Sequence, residues 1–294
     1  MSFALNSLKR DDYTDNSAIL APRNYTTIDA TADAADGICG VELKRSSPYS
    51  FTRIMLRELL DFARNVPSQN RCDVSMRALV SKRKGVFSLG GDLVFFRDCI
   101  RCSDEHALRE YAYLAVDLIW ESITASGRDG MTSVCLVQGE AQGGGFEAAL
   151  AGHVLIAERG TWFGFPEGLF GLFPGMGARA LLSARGAGNH AGKIIASCRR
   201  YSAEELYEVG IIDFLANPGC GIDVLKAVGE LASSGHLSDL RGRFLNIKKD
   251  ELIGTVSDWV EVAMNLSEKH LRTIDFLVQA QERARGKVPS IRVV

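Results

Sequence analysis

The sequence lacks an excess of either charge, and it lacks a long apolar run. Its 294 residues include 34 basic and 36 acidic side chains, and glycine or charged residues interrupt every apolar stretch short of the roughly 18 residues that span a membrane. A near-neutral balance disfavours nucleic-acid or membrane-surface binding. No signal-type apolar block precedes the first charges. Because 46% of the residues are hydrophobic, the chain can bury a large core. We expect a cytoplasmic globular protein with no nucleic-acid partner and no membrane insertion.

The sequence also lacks a disulfide framework and a complete set of metal ligands. Its seven cysteines are odd in number and scattered along the chain, unlike those of a disulfide-stabilised domain. Cys99, Cys102 and His106 have half the spacing of a zinc site, but no second ligand pair follows. The motifs G-x-S-x-G, H-E-x-x-H and G-x-x-x-x-G-K-[ST] are absent. We therefore predict that the protein binds no metal.

Hydrophobic periodicity predicts alternating strands and helices. The turn signal Asp36-Gly37 precedes an alternating segment, which suggests a hairpin. Apolar residues at helical spacing predict one helix over 50–66 and a longer one over about 104–126. The order strand, helix, strand over 133–157 favours parallel βαβ units.

The same patterns divide the chain into three parts. Residues 1–35 are polar and lack a sustained period, so they are predicted to form an irregular arm. Residues 36–219 carry the α/β pattern. Residues 220–294 are helical in pattern, and we expect them to form a pocket lid or an oligomerisation surface.

Glycine-rich turns suggest a site built from main-chain N–H groups. Residues 143–148 and 175–180 fit the dinucleotide pattern G-x-G-x-x-A, but Glu147 would occupy the first helical turn where a pyrophosphate should dock. We therefore favour an oxyanion site, since unpaired N–H groups at a helix start attract negative charge. The turn Gly90-Gly91 offers a second donor.

Two carboxylates stand next to these turns among aromatic residues. Glu147 and Glu167 would have raised pKa values in apolar surroundings, and such a pair can divide the acid and base roles. The alternative is that Glu147 only balances the helix dipole and that Glu167 is a solvated loop charge.

Five motifs in a fixed order carry a resemblance to a known family. They are F-S-x-G-x-D-L at 87–93, G-x-x-x-G-G-G-x-E at 139–147, F-x-x-P-E at 163–167, P-G-x-G at 174–177 and A-x-E-L-x-x-x-G-I-I-D at 203–213. Together they resemble the crotonase (enoyl-CoA hydratase/isomerase) superfamily. The resemblance implies a ClpP/crotonase-like α/β fold of repeated ββα units with a C-terminal helical region, assembled as a homotrimer or hexamer.

Within that superfamily, residues 165–177 are most similar to the diffusible signal factor synthases. These bacterial enzymes make a cis-2-unsaturated fatty acid for quorum sensing. The segment Ala151-Gly152-His153 adds to the similarity and departs from the wider family, which has a carboxylate at the position of His153.

The resemblance implies a role for each candidate residue. The N–H groups of Gly91 and Gly144 form the oxyanion hole for an acyl thioester, Glu167 acts at C2, and Glu147 acts on the C3 hydroxyl. The implied reaction is dehydration of a 3-hydroxyacyl thioester followed by hydrolysis to the free acid. No cofactor is required, because acyl carrier protein (ACP) or CoA carries the substrate. A sensor histidine kinase is an implied partner.

Two other functions stay open at this point. One is a plain enoyl-CoA hydratase of fatty-acid oxidation, and the other is an acyl-binding regulatory protein.

Apolar residues near the motifs could line a substrate pocket, although ordinary core packing is the alternative. The candidates are Leu89, Phe146, Trp162, Leu169, Phe170, Leu172, Met176 and Trp259. The basic cluster Lys82, Arg83 and Lys84 could contact the phosphopantetheine phosphate or acidic helices of a carrier protein. The alternative for this cluster is a solvated turn.

Overall fold

The computed structural model describes residues 24–33, 37–65, 74–127 and 129–286. Most of the predicted arm, together with Asp36 of the predicted turn and Pro67 after the first predicted helix, lies outside the described residues. Within the described ranges the chain forms ten strands and eleven α-helices, and none of these helices is long and apolar enough to cross a membrane.

The strands build two sheets. Their bounds are β1 Ile28–Asp33, β2 Ile38–Leu43, β3 Met76–Ser81, β4 Val86–Ser88, β5 Thr132–Val137, β6 Glu140–Gln142, β7 Val154–Glu158, β8 Trp162–Gly164, β9 Arg200–Ser202 and β10 Phe214–Ala216. The larger sheet has the order β1-β2-β3-β5-β7-β10, in which β1 pairs antiparallel with β2 and the other pairs are parallel. The smaller sheet has the order β4-β6-β8-β9, with β4, β6 and β8 parallel.

The helices pack on the sheets and on one another. Their bounds are α1 Arg53–Asn65, α2 Leu93–Arg101, α3 Glu105–Ile123, α4 Gly144–Leu150, α5 Ala178–Leu182, α6 Gly188–Ala196, α7 Ala203–Glu208, α8 Gly221–Ser233, α9 Ser238–Gly242, α10 Lys249–Met264 and α11 Glu268–Gly286. A short 3₁₀ helix, Glu167–Phe170, follows β8. Helix α8 packs on one face of the larger sheet, α10 lies against α3, and α11 lies against α2.

From β3 to β8, successive strands alternate between the two sheets. In each of the pairs β3–β4, β5–β6 and β7–β8, the first strand joins the larger sheet, the second joins the smaller one, and helical segments follow. This order confirms the predicted α/β fold of repeated ββα units with a helical C-terminal region. Strand β5 is buried along its whole length because helices cover both faces of its sheet.

The structure confirms the predicted hairpin and shifts the start of the first helix. Ile28 of β1 pairs with Leu43 of β2, as a hairpin requires. Helix α1 begins at Arg53, later than the periodicity predicts, because Thr52 caps it: the Oγ1 of Thr52 accepts the N–H of Met55 at 3.2 Å. Just before this cap, the N–H of Phe51 donates to the carbonyl of Gly90 at 2.8 Å. The second bond ties the chain before α1 to the turn after β4.

His153 braces the turn between α4 and β7. Its Nδ1 accepts the N–H of Ser133 at 3.1 Å, so Nε2 carries the proton and bonds the carbonyl of Ile123 at 2.9 Å. Burial lowers the pKa of His153 to about 4, so the ring is neutral. A neutral imidazole can therefore hold this turn without a buried charge.

Candidate active site

Three parallel strands of the smaller sheet end at the same edge, and each is followed by one part of the site. The turn Gly90-Gly91 follows β4, the start of α4 follows β6, and Glu167 follows β8. Because the carboxyl ends of parallel strands meet at one edge, residues distant in sequence come together there.

The start of α4 directs one main-chain N–H out of the helix. The carbonyl of Gly143 accepts the N–H groups of Phe146 at 2.8 Å and Glu147 at 3.0 Å. In a trans peptide the N–H points opposite to the carbonyl, so the N–H of Gly144 points away from the helix body. Gly143 has φ of +51°, a conformation that favours glycine.

The turn after β4 directs a second N–H toward the first. The N–H of Phe51 donates to the carbonyl of Gly90. The N–H of Gly91 belongs to the same peptide as that carbonyl, so it points away from Phe51. A Cβ built on Gly144 would lie only 3.7 Å from the nitrogen of Gly91. Neither N–H donates to another residue within the described part of the chain. Two neighbouring free donors of this kind can stabilise an oxyanion.

Glu147 lies on α4 with its carboxylate buried. Its Oε1 accepts the N–H of Met176 at 2.7 Å and of Ala178 at 3.0 Å. Burial raises the pKa of Glu147 to about 7, while these two hydrogen bonds act in the opposite direction. The side chain is therefore fixed in position and can exchange a proton near neutral pH.

Glu167 opens the 3₁₀ helix after β8 and faces the start of α4. Its Oε1 lies against Gly143, where a Cβ would overlap it. Its Oε2 is buried and has no hydrogen-bond partner among the described residues. Burial, and then the negative charge of Glu147, raise the pKa of Glu167 to about 8. Both carboxyl groups thus titrate in the range that general acid and base catalysis needs.

Both glutamates, together with Gly91 and Gly144, line one cavity of about 330 Å³. Its wall is mainly apolar and includes residues of α2, α3, α10 and α11, so the C-terminal helices close the site. The lining residues outside the motifs are Phe96, Tyr111, Ala112, Ala115, Phe170, Leu172, Phe173, Trp259, Leu277, Ala280 and Gln281. A concave, mostly apolar site with a few convergent polar groups is typical of small-molecule binding.

Five of the eight predicted pocket residues line this cavity, and three do not. The five are Leu89, Phe170, Leu172, Met176 and Trp259. Phe146 is fully buried in the core, where its ring stacks on Phe165 at 4.8 Å. It follows that the prediction for Phe146 is corrected: the next residue along α4, Glu147, points about 100° away and faces the cavity instead.

Trp162 and Leu169 are corrected for a similar reason. Side chains alternate along a strand, and in β8 the buried neighbour of Trp162 is Phe163, which leaves Trp162 41% exposed. In the 3₁₀ helix the side chain of Phe170 turns into the cavity, and its neighbour Leu169 is 58% exposed.

The basic cluster before β4 is only partly a solvated turn. Arg83 is buried, and its guanidinium donates to the carbonyls of Pro48 and Phe87, so it is not available to a carrier phosphate. Lys82 pairs with Glu42, while Lys84 is exposed. The lining of the cavity includes none of the three basic residues.

The sequence reasoning missed an aromatic cluster that forms part of the wall. The ring of Phe96 makes edge contacts with Tyr111 at 4.9 Å and with Trp259 at 5.1 Å. Tyr111, Ala112 and Ala115 share one face of α3, and their helical spacing was the available signal.

Comparison with known families identifies the fold group. The family described as enoyl-CoA hydratase/isomerase matches residues 33–226. The chain belongs to this family. Among curated members, the fatty acid oxidation complex subunit alpha of Pseudomonas syringae pv. tomato is 31% identical over 179 residues, covering 60% of this chain and 23% of that protein. The equivalent subunit of Pseudomonas entomophila is 30% identical over 217 residues, or 72% of this chain and 28% of that protein. The chain thus spans about a quarter of these relatives.

Solved structures share the fold across most of the chain. A putative enoyl-CoA hydratase from Streptomyces avermitilis superposes with a TM-score of 0.70 at 19% identity, covering 90% of this chain and 96% of that one. Pseudomonas aeruginosa DspI gives 0.63 at 20% identity, covering 88% and 93%. The C-terminal helices that close the cavity fall largely beyond the residues matched by the family.

Proposed function

We propose that this protein dehydrates a 3-hydroxyacyl thioester and then hydrolyses the product to a free cis-2-unsaturated fatty acid, which serves as a diffusible quorum-sensing signal. The observation that carries the proposal is that buried Glu147, half-buried Glu167 and two free N–H groups meet in one apolar cavity. The similarity of residues 165–177 to the diffusible signal factor synthases supports the final product.

Dehydration uses the four groups together. The thioester oxygen accepts the N–H groups of Gly91 and Gly144, which stabilise the enolate as its charge develops. Glu167 takes the proton from C2, and protonated Glu147 gives its proton to the C3 hydroxyl. The C3–O bond breaks, water leaves, and a double bond forms between C2 and C3. One proton enters the glutamate pair and one leaves it.

The glutamate pair can hold a proton near neutral pH. Burial raises the pKa of both carboxyl groups, and the negative charge of Glu147 raises that of Glu167 further. The two protons are therefore lost in separate steps, and the pair passes through a state that holds one proton. Dehydration needs that proton on Glu147, and hydration needs it on Glu167.

Hydrolysis reuses the same groups. A water molecule, deprotonated by one carboxylate, attacks the thioester carbonyl, and the two N–H groups hold the tetrahedral oxyanion. The C–S bond then breaks, the carboxylic acid is released, and the thiol of the carrier takes the proton. The carrier is ACP or CoA, and no cofactor takes part. We also propose a cytoplasmic homotrimer or hexamer that contacts a sensor histidine kinase.

A plain enoyl-CoA hydratase is the second candidate. The family description and the names of the fatty acid oxidation relatives favour it, and the same four groups would catalyse it. An acyl-binding regulatory protein would use the cavity alone.

Product analysis separates these functions. Purified protein is incubated with 3-hydroxyacyl-ACP substrates of increasing chain length and with the matching CoA esters, and the products are identified by mass spectrometry. Free cis-2-unsaturated acid supports the proposal. An enoyl thioester without free acid identifies a hydratase, and unchanged substrate contradicts both enzymatic functions. Glu147→Gln/Glu167→Gln should abolish turnover, whereas the exposed Glu208→Gln on α7 should not change it.

A further inference from the structure

The hydroxyl of Tyr111 joins two main-chain groups beside the oxyanion turn. Tyr111 lies on α3 and is buried, and its hydroxyl donates to the carbonyl of Phe51 at 2.5 Å. The same oxygen accepts the N–H of Asp92 at 3.3 Å. A Cβ built on Gly91 would lie 3.5 Å from this oxygen. The phenol group therefore lies directly behind the residue whose N–H faces the cavity.

These contacts hold the turn on both sides of Gly91. On one side the N–H of Phe51 bonds the carbonyl of Gly90, and on the other the tyrosine hydroxyl links Asp92 to the carbonyl of the same Phe51. Both peptides that flank the Cα of Gly91 are thereby fixed to one residue. The direction of the Gly91 N–H is set by the peptide that joins Gly90 to Gly91. How far this N–H can rotate depends on both flanking peptides.

We infer that Tyr111 is a positioning residue that aims the N–H of Gly91 at the thioester oxygen, a role that rests on the proposed function. Its hydroxyl touches neither the reacting atoms nor Glu147. Burial raises the pKa of Tyr111, so the phenol stays protonated and keeps its donor at every working pH. Asp92 also links the turn to α2, because its Oδ1 accepts the N–H of Phe95 and caps that helix.

The expected effect is on turnover more than on binding. Removing an oxyanion donor costs about 10² to 10³ in kcat. Tyr111→Phe removes only the hydroxyl and leaves the ring against Phe96, so the Gly91 N–H is loosened and not lost. We expect kcat to fall about tenfold with KM within about twofold of the wild type. Tyr113→Phe, two residues along α3 and 39% exposed, is the matched control and should leave both constants unchanged.

A spectroscopic measurement distinguishes positioning from general loosening. An isotope-labelled, saturated acyl-CoA is bound to Glu147→Gln/Glu167→Gln protein, in which it is not consumed, and its carbonyl stretch is recorded by difference infrared spectroscopy. Hydrogen bonds from the N–H pair lower this frequency. We expect a smaller lowering when Tyr111→Phe is added, and no change when Tyr113→Phe is added.

The outcomes separate the two proposals. If the carbonyl frequency is lowered in the reference protein and adding Tyr111→Phe does not change it, the role of Tyr111 is overturned. The proposed function is kept in that case. A reference protein that binds no thioester, or binds it with an unshifted carbonyl, overturns the proposed function and with it the role of Tyr111. A kcat loss explained entirely by a smaller folded fraction, with the carbonyl frequency unchanged, also overturns that role.

Discussion

Gly143 allows a direct test of the contact between the start of α4 and Glu167. A Cβ at this position would overlap Oε1 of Glu167, and φ of +51° is strained for any other residue. Gly143→Ala should therefore cost about 1–3 kcal/mol of unfolding free energy for the strained backbone. It should also push the carboxylate out of place, and a displacement of about 1 Å can lower turnover about 100-fold.

Gly160→Ala separates the two effects. Gly160 also has a positive φ, of +79°, but nothing lies within 4 Å of a Cβ built there. Urea unfolding should show a loss of stability in both variants, larger in Gly143→Ala because its Cβ also overlaps Oε1 of Glu167, while steady-state dehydration should be slow only in Gly143→Ala. A folded Gly143→Ala protein with kcat within twofold of Gly160→Ala would refute the placement of Glu167 at the reacting centre.

Three further outcomes follow from buried groups. Burial raises both glutamate pKa values above the ordinary 4.5, so the folded state holds protons that the unfolded chain releases, and the free energy of unfolding should fall as pH rises from about 4.5 toward 8. Glu147→Gln/Glu167→Gln should flatten that slope in urea titrations across pH. Asp213→Ala leaves the buried Arg185 guanidinium without its ion-pair partner and should cost about 3–5 kcal/mol by the same assay, whereas an unchanged midpoint contradicts this. Trp259→Ala removes part of the cavity wall, and product analysis should show longer acyl chains accepted; an unchanged chain-length profile would place the tail elsewhere.

The parts of the site that local sequence could indicate are those made by local backbone. Glycine-rich turns indicated main-chain donors, because only glycine allows such close approach, and Gly91 and Gly144 do lie together. Glu147 and Glu167 lie next to these turns, and their apolar neighbours in the sequence indicated carboxylates with raised pKa values. Their roles come from the family resemblance and await the product and variant measurements.

The rest of the cavity wall could not be predicted from the sequence, because it depends on packing between residues far apart in the chain. Tyr111 and the Phe51 carbonyl that it bonds are 60 residues apart. Trp259 reaches the cavity from α10, and its contact with Phe96 follows from how the C-terminal helices dock. The errors at Phe146 and Trp162 have a simpler cause: each lies next to a residue whose side chain points in a different direction. Which of two such neighbours faces the cavity depends on how the helix or strand is rotated about its own axis in the fold.

The glycines of the site are needed both for the packing of the strand ends and for the placement of the N–H donors. Where β4 and β6 end side by side, a Cβ on Gly90 would lie 2.9 Å from the carbonyl oxygen of Gln142, and one on Gly145 would lie 2.5 Å from that of Ser88. The strand ends can converge only without these side chains, and the same convergence brings the N–H groups of Gly91 and Gly144 together. Loss of activity on replacing any of these glycines therefore does not by itself identify an oxyanion donor. Turnover must be compared with stability, as for Gly143 and Gly160, and the carbonyl frequency of a bound thioester must report the N–H pair directly.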